Sequence, residues 1–140
     1  MGWLQKSIFF VLTFFSQKAK MSYEGRAKNS IFYNSHNTSD FKDCIWFHAA
    51  SLGEFEQVRY LIQRIKELVP DTKIIVTFFS ASGYRPQQNF QYADAVLYLP
   101  FENQKDINVF LDFFQPKKVF WVRYEFWPLV MSNIATRNIP

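Results

Sequence analysis

A carboxylate follows a turn of small residues at Ser51-Leu52-Gly53-Glu54, directly after the apolar run Cys44–Ala49. The pattern leaves two interpretations of Glu54 open. With Ser51 as N-cap and an acid three residues later, the four residues form a capping box at the start of a helix. A carboxylate at the mouth of a site is also suited to general-base catalysis. Gly53 leaves the backbone open to a ligand, and free amides at a helix N-terminus attract anions.

A second loop, Phe79–Gly83, is rich in hydroxyl groups and small residues. Ser82 and Gly83 lie where the next helix is expected to begin. They either cap that helix or bind a phosphate or a sugar.

A third loop, Arg123–Pro128, places two charged residues directly after another apolar run. Packing requires neither charge. Glu125 either favours the N-terminus of the following helix or hydrogen-bonds a substrate. His48, at the end of the first apolar run, is either a satisfied buried imidazole or part of the wall of a site.

Several classes of site are not expected. The chain lacks the G-x-G-x-x-G, Walker and G-x-S-x-G motifs. His36, His48 and Cys44 do not cluster along the chain, so neither a metal site nor a cofactor is expected. Cys44 falls inside a predicted strand, where we expect a buried and inert thiol.

These loops are held by an alternation of strands and helices. The predicted strands are Cys44–Ala49, Lys73–Phe79, Ala95–Leu99 and Lys117–Val122. The predicted helices are Phe55–Val69, Ser82–Tyr92, Asn103–Phe114 and one from Phe126 or Trp127 to about Arg137. The alternation predicts an α/β domain, a Rossmann-like parallel sheet with flanking helices. Ligands bind such sheets beyond the carboxyl ends of the strands, so the three loops are expected to meet at one edge.

The N-terminal part differs in composition from the rest. The formal net charge is +4, and the excess lies in residues 1–30. The basic side chains there are Lys6, Lys18, Lys20, Arg26 and Lys28. The apolar run Ile8–Phe15 is far shorter than the ~20 residues that span a bilayer. A nucleic-acid partner is not expected, because the remainder of the chain is neutral.

We therefore predict that residues 1–22 form a membrane-anchoring segment, a helix lying in the membrane interface beside a basic patch. A core helix of the domain is the alternative. Residues 23–42 are polar and turn-rich and are predicted to be a linker. Residues 43–140 are predicted to be the Rossmann-like domain.

Four segments together resemble a known family. They are Ile45–Glu54, Ile75–Thr77 with Ser82-Gly83, Tyr98–Pro100 and Glu125–Pro128. In order and spacing they are similar to the N-terminal half of bacterial 3-deoxy-D-manno-octulosonate (Kdo) transferases, glycosyltransferase family 30. The resemblance implies the acceptor domain of a two-domain GT-B glycosyltransferase.

The resemblance also implies a reaction. The family transfers Kdo from CMP-Kdo to a lipid A precursor in lipopolysaccharide biosynthesis, at the cytoplasmic face of the bacterial inner membrane. The glutamate of its S-x-G-E motif is the catalytic base, and Glu54 holds that position here. The implied substrate-binding residues are Ser51, Gly53, Ser82, Gly83, Arg123 and Glu125.

Two features depart from the family. Arg123 stands where many members have a glutamate. We expect residues 43–140 not to include the family's donor-binding domain, CMP-Kdo to bind mainly to a part not included here, and this chain alone to be inactive. A non-catalytic, membrane-associated Rossmann-like interaction module and another GT-B glycosyltransferase are the alternative interpretations.

Overall fold

A computed structural model describes residues 17, 19–123 and 125–140. Its centre is a sheet of four parallel strands in the order β3-β2-β1-β4. The strands are β1 (Ile45–Ala49), β2 (Ile74–Phe78), β3 (Ala95–Tyr98) and β4 (Lys118–Trp121). The predicted parallel sheet is confirmed. The register sets His48 of β1 between Thr77 of β2 and Trp121 of β4.

Helices connect and cover the strands. They are α1 (residues 19–27), α2 (Asn29–Ser35), α3 (Leu52–Leu68), α4 (Ala81–Gln87), α5 (Gln104–Phe114) and α6 (Pro128–Thr136). A short 3-10 turn, Thr38–Asp40, precedes β1. The helix predicted over Ser82–Tyr92 is wrong in its second half, because the chain turns after Gln87. Phe90 leaves the helix direction and packs edge-on against Phe55, with ring centroids 5.1 Å apart.

The core lies on both faces of the sheet. Successive strand residues point to opposite faces, so Phe47 and Val76 pack with α3, whereas Trp46 and Ile75 pack with α5 and α6. β1 and β2 are buried almost throughout, as near-continuous apolar runs predict for strands covered on both faces. The edge strand β4 remains partly exposed.

The prediction of a linker over residues 23–42 is wrong in its secondary structure. Helix α1 extends to residue 27, and α2 follows almost at once. Phe32 and Tyr33 of α2 pack against Phe114 of α5, and Phe41 is buried beside them. Helices this short gain their stability from packing rather than from propensity. The turn-forming residues that suggested a loop lie mostly on their exposed faces.

Across the described ranges, no helix has both the length and the apolar character that a membrane crossing requires. Most of the predicted anchoring segment, residues 1–22, lies outside the described residues. Residues 17 and 19–22, at its end, are helical.

Candidate functional site

The candidate site lies between β1 and β4, where the order in which the chain adds strands to the sheet reverses. The chain runs from β1 outward to β2 and β3, then returns to place β4 on the other side of β1. Ligands of open α/β sheets bind at such a switch point, beyond the carboxyl ends of the strands. Glu54 follows β1 and Glu125 follows β4. The structure thus brings together two carboxylates that are far apart in sequence.

Glu54 lies in the first turn of α3 and closes a capping box with Ser51. Its Oε2 accepts hydrogen bonds from the backbone N–H of Ala50 at 2.6 Å and of Ser51 at 3.3 Å. These bonds satisfy two backbone N–H groups between the end of β1 and the start of α3. Among the described residues, none donates to Oε1. Glu54 therefore caps the helix through one oxygen and has the other available.

Gly53 lies beside Glu54 and is exposed. A Cβ atom at this position would meet no heavy atom within 4 Å. Packing therefore does not require glycine here, and the backbone at the start of α3 is open to a ligand, as the sequence suggested.

Glu125 is held by three donors. Its Oε2 lies 3.4 Å from His48 Nε2 and 3.3 Å from Trp127 Nε1, and its backbone oxygen accepts from Trp121 Nε1 at 2.5 Å. The hydrogen bond from His48 is the main cause that lowers the pKa of Glu125, with Trp127 and the charge of Arg26 acting in the same direction. Glu125 is therefore ionised near neutral pH, and its side chain is 32% exposed.

His48 connects Glu125 to the core. Its ring is fully buried, and Nδ1 lies 2.9 Å from Thr77 Oγ1. Trp46 Nε1 donates to the same hydroxyl at 2.8 Å. Burial lowers the pKa of His48, against the opposing effects of Glu125 and Glu54. Of the two interpretations from the sequence, the structure confirms the satisfied buried imidazole; the ring does not itself line the candidate site but contacts Glu125, which does.

Arg123 follows β4 with a positive φ of 66°. This backbone conformation is uncommon for residues other than glycine. The exposed guanidinium faces Gln57 on α3, and because a guanidinium only donates, the amide oxygen of Gln57 turns toward it. That oxygen lies 3.1 Å from Nε and 2.9 Å from Nη2. Gln57 is one helical turn beyond Glu54, so Arg123 contacts the face of α3 that also carries Glu54.

The loop after β2 is organised by Ser80, which sequence analysis did not single out. Ser80 is the N-cap of α4, and its Oγ accepts from Gly83 N–H at 3.3 Å. The exposed Ser82 shares a 3.0 Å hydrogen bond with Ser80 Oγ. A Cβ at the buried Gly83 would lie 2.5 Å from the Phe78 ring. Packing alone thus explains Gly83, and ligand contacts of Ser82 and Gly83 stay predictions.

Arg26, which the sequence predicts to belong to the basic membrane patch, lies at the carboxyl ends of β2 and β3. Its Nε donates to Leu99 O at 3.0 Å and its Nη2 to Phe79 O at 3.1 Å. The guanidinium also lies 4.3 Å from the centre of the Phe79 ring. Arg26 therefore fastens α1 to the ends of β2 and β3. The glycine at position 25 is the feature of the sequence that could have indicated this close packing of α1, because any side chain there would clash with the Tyr98 ring.

Comparison with known proteins shows to which sequences this chain is similar. Residues 10–140 match the family model described as 3-deoxy-D-manno-octulosonic-acid transferase (kdotransferase). A 3-deoxy-D-manno-octulosonic acid transferase of Haemophilus influenzae is 32% identical over 98 residues, 69% of this chain and 23% of that protein. The protein of the same name from Aquifex aeolicus is 31% identical over 111 residues, 78% of this chain and 30% of that protein. The chain therefore matches less than a third of the length of these relatives.

Proposed function

Since the chain belongs to the 3-deoxy-D-manno-octulosonic-acid (Kdo) transferase family, we propose that it forms the acceptor-side domain of a GT-B glycosyltransferase. The proposed reaction moves Kdo from CMP-Kdo to a hydroxyl group of a lipid A precursor in lipopolysaccharide biosynthesis. The proposed location is the cytoplasmic face of the bacterial inner membrane, beside the lipid acceptor. The match of residues 10–140 supports the enzyme class.

In this proposal Glu54 is the general base. A sugar hydroxyl is a weak nucleophile. As its oxygen bonds to the anomeric carbon of Kdo, the bond from that carbon to the phosphate oxygen of CMP breaks and the hydroxyl proton passes to Glu54. A positioned base of this kind contributes about 10²–10⁴-fold.

The observation that carries the proposal is the arrangement of the Glu54 carboxylate. Two backbone N–H groups fix Oε2, the nearer at 2.6 Å, and Oε1 is left to meet a substrate. A carboxylate fixed through the backbone is held in one orientation, which is what proton transfer in a transition state requires.

Neighbouring groups are proposed to bind the substrates. The open backbone at Gly53 fits an anionic group, either a phosphate of the acceptor or the carboxylate of Kdo. Glu125 fits a sugar hydroxyl. Arg123 replaces the glutamate of many family members, and its positive charge beside α3 favours an anion instead.

Membrane attachment is part of the same proposal. Lys20 and Lys28 on α1 and the loop that follows it are exposed, and the apolar run of residues 8–15 precedes them in sequence. Basic residues near an apolar segment are attracted to anionic headgroups. Attachment would keep the acceptor domain beside its lipid substrate.

The test is Kdo transfer from CMP-Kdo to a lipid A precursor by the protein that carries this chain, with Glu54→Gln. We expect a loss of about 10²–10⁴-fold in kcat. Glu56→Gln is the matched control, because Glu56 is an exposed acid of the same helix that pairs with Arg59 at 3.2 Å. Near-normal transfer by Glu54→Gln, or an equal loss in Glu56→Gln, would refute the role of Glu54.

A further inference from the structure

A chain of hydrogen bonds runs from the core of the sheet to the candidate site. Trp46, Thr77 and His48 have no exposed surface. Trp46 Nε1 contacts Thr77 Oγ1 at 2.8 Å, that hydroxyl contacts His48 Nδ1 at 2.9 Å, and His48 Nε2 contacts Glu125 Oε2 at 3.4 Å. Buried polar groups need hydrogen-bond partners, and here each of these side chains finds its partner in the next residue of the hydrogen-bond network.

The chemistry of the two ends fixes the direction of every proton. An indole N–H only donates and an ionised carboxylate only accepts. Glu125 therefore requires a hydrogen on His48 Nε2. A neutral imidazole then has Nδ1 free to accept, and the Thr77 hydroxyl, which already accepts from Trp46, donates its own hydrogen to Nδ1. All four groups are satisfied in this one arrangement.

We propose that His48 is a positioning residue, a neutral imidazole in the Nε2–H tautomer that holds Oε2 of Glu125 and leaves Oε1 to accept a substrate hydroxyl. Trp127 donates to the same oxygen, so both donors act on Oε2. Among the described residues, none donates to Oε1. The choice of a sugar hydroxyl as the ligand rests on the proposed function.

The groups around His48 favour one protonation state. Thr77 faces it from β2, Glu125 from the loop after β4, and Glu54 from the start of α3. The two carboxylates and the backbone of Thr77 favour the imidazolium, but burial has the larger effect and lowers the pKa of His48. In the imidazolium Nδ1 would donate instead of accept, so Thr77 Oγ1 would have to accept from both Trp46 and Nδ1.

In this arrangement both carboxylates of the candidate site are held through one oxygen. Glu54 is fixed through Oε2 by backbone N–H groups, and Glu125 is fixed through Oε2 by His48 and Trp127. Each has Oε1 available, so one carboxylate can take a proton while the other orients a hydroxyl.

The tautomer is measured by ¹⁵N NMR of the imidazole rings in the full chain, with the exposed His36 as a second histidine in the same spectra. We expect the His48 signals of a neutral Nε2–H ring at pH 7. The Nδ1–H tautomer, a mixture of both, or an imidazolium at pH 7 would overturn the proposal.

Two amide variants separate positioning from simple packing. In His48→Gln the side-chain nitrogen reaches the place of Nε2 and still donates to Glu125. In His48→Asn the amide reaches only the place of Nδ1, so the contact with Thr77 is kept and the contact with Glu125 is lost. ¹³C titration of the Glu125 carboxyl should show its pKa unchanged in His48→Gln and raised in His48→Asn. Equal values in both variants would overturn the proposal, and the tautomer measurement decides if either variant fails to fold.

Activity provides a separate readout. His48→Asn should lower kcat/KM for Kdo transfer by about 10- to 100-fold, the loss expected for one hydrogen bond to a charged group, and His48→Gln should recover most of it. If the NMR results hold but wild-type protein transfers no Kdo, the proposed function fails while the positioning role stands. If Glu54→Gln abolishes transfer but His48→Asn changes neither the Glu125 pKa nor kcat/KM, the positioning role fails alone.

Discussion

The carboxylate of Glu54 accepts a 2.6 Å hydrogen bond from the backbone N–H of Ala50, the residue directly after β1. This bond ties the first turn of α3 to the end of the strand before it. Capping and catalysis are alternatives from the sequence alone; in the structure the cap uses Oε2, and the proposed catalysis would use Oε1. The cap is what would hold the base in place.

The two roles of Glu54 can be separated by substitution. Gln at this position also completes a capping box, so Glu54→Gln should change the free energy of unfolding little. Glu54→Ala removes the bonds to Ala50 and Ser51 and should lower it by about 1 kcal/mol. Urea denaturation of the two variants measures this. If both variants lose the same stability, the carboxylate does not act as the cap.

Gly53 and Gly83 should respond in opposite ways to alanine. Gly83→Ala brings a Cβ to 2.5 Å from the Phe78 ring, and such overpacking costs about 1–3 kcal/mol. Gly53→Ala meets no atom within 4 Å and should raise stability by up to about 1 kcal/mol, because alanine favours helices.

Thermal unfolding of both variants is the measurement, with wild type as the reference. A destabilised Gly53→Ala would contradict the open surface at the start of α3, and a stable Gly83→Ala would contradict the tight packing of α4 on β2.

Asp94 makes the free energy of unfolding depend on pH. It lies at the amino ends of β2 and β3, on the opposite side of the sheet from the candidate site. Its Oδ2 accepts from Lys66 Nζ at 2.9 Å and from Ile74 N–H at 2.9 Å. Burial acts to raise the pKa of Asp94, but these hydrogen bonds and the charges of Lys66 and Lys73 outweigh it and lower the pKa. A lowered folded-state pKa means that the stabilisation is present above the unfolded-state pKa of about 4. It is lost as the pH falls through the lower folded-state pKa.

Asp94→Asn should therefore lower the free energy of unfolding at pH 7 by about 1 kcal/mol, allowing for solvent screening. The difference from wild type should shrink below pH 4. Glu67→Gln is the control, since Glu67 pairs with Arg64 on the surface and should change stability little. Urea denaturation between pH 3 and pH 7 is the measurement, and a difference that grows as the pH falls would have the wrong sign.

The strands and the location of the site were predictable because their signals are local. Near-continuous apolar runs predict β1 and β2. Acids follow β1 and β4 in the sequence, and because parallel strands end on the same side of the sheet, these acids are expected at one site. α1 and α2 were not predictable in this way. Their turn-forming residues outweigh the apolar positions along the sequence, and Phe32 shows its role only once Phe114 packs against it.

The supports of the site depend on contacts between distant residues. His48 meets Thr77 only because the register pairs β1 with β2 at that position. Arg26 resembles any other residue of a basic segment until α1 packs against Leu99 and Phe79. Sequence patterns report periodicity and composition, and neither fixes the register of two strands or the partner of a guanidinium.

Binding to membranes should depend on the charge of α1 and the segment that follows it. We expect the chain to sediment with vesicles that contain anionic lipid and to be released by salt, which screens exposed charges. Lys20→Glu with Lys28→Glu should weaken binding by about 1 kcal/mol for each lysine removed. Lys117→Glu, an exposed lysine at the amino end of β4, is the control. Equal binding of both variants, or binding that salt does not change, would contradict the proposed attachment.

The 140-residue chain by itself should not catalyse Kdo transfer. In the proposed GT-B enzyme the donor lies in a cleft between two domains, and this chain supplies one wall of it. A base without an oriented donor forfeits the positioning contribution, which reaches about 7–11 kcal/mol of the barrier. The chain retains the open start of α3 at Gly53 and the basic surface of α1, so weak binding of the anionic lipid acceptor is expected while CMP binds negligibly. Calorimetric titration of CMP and of a lipid A precursor, each alone, separates the two. Micromolar affinity for CMP, or measurable transfer by this chain, would show that the donor site lies within it and that the assignment as acceptor domain is wrong.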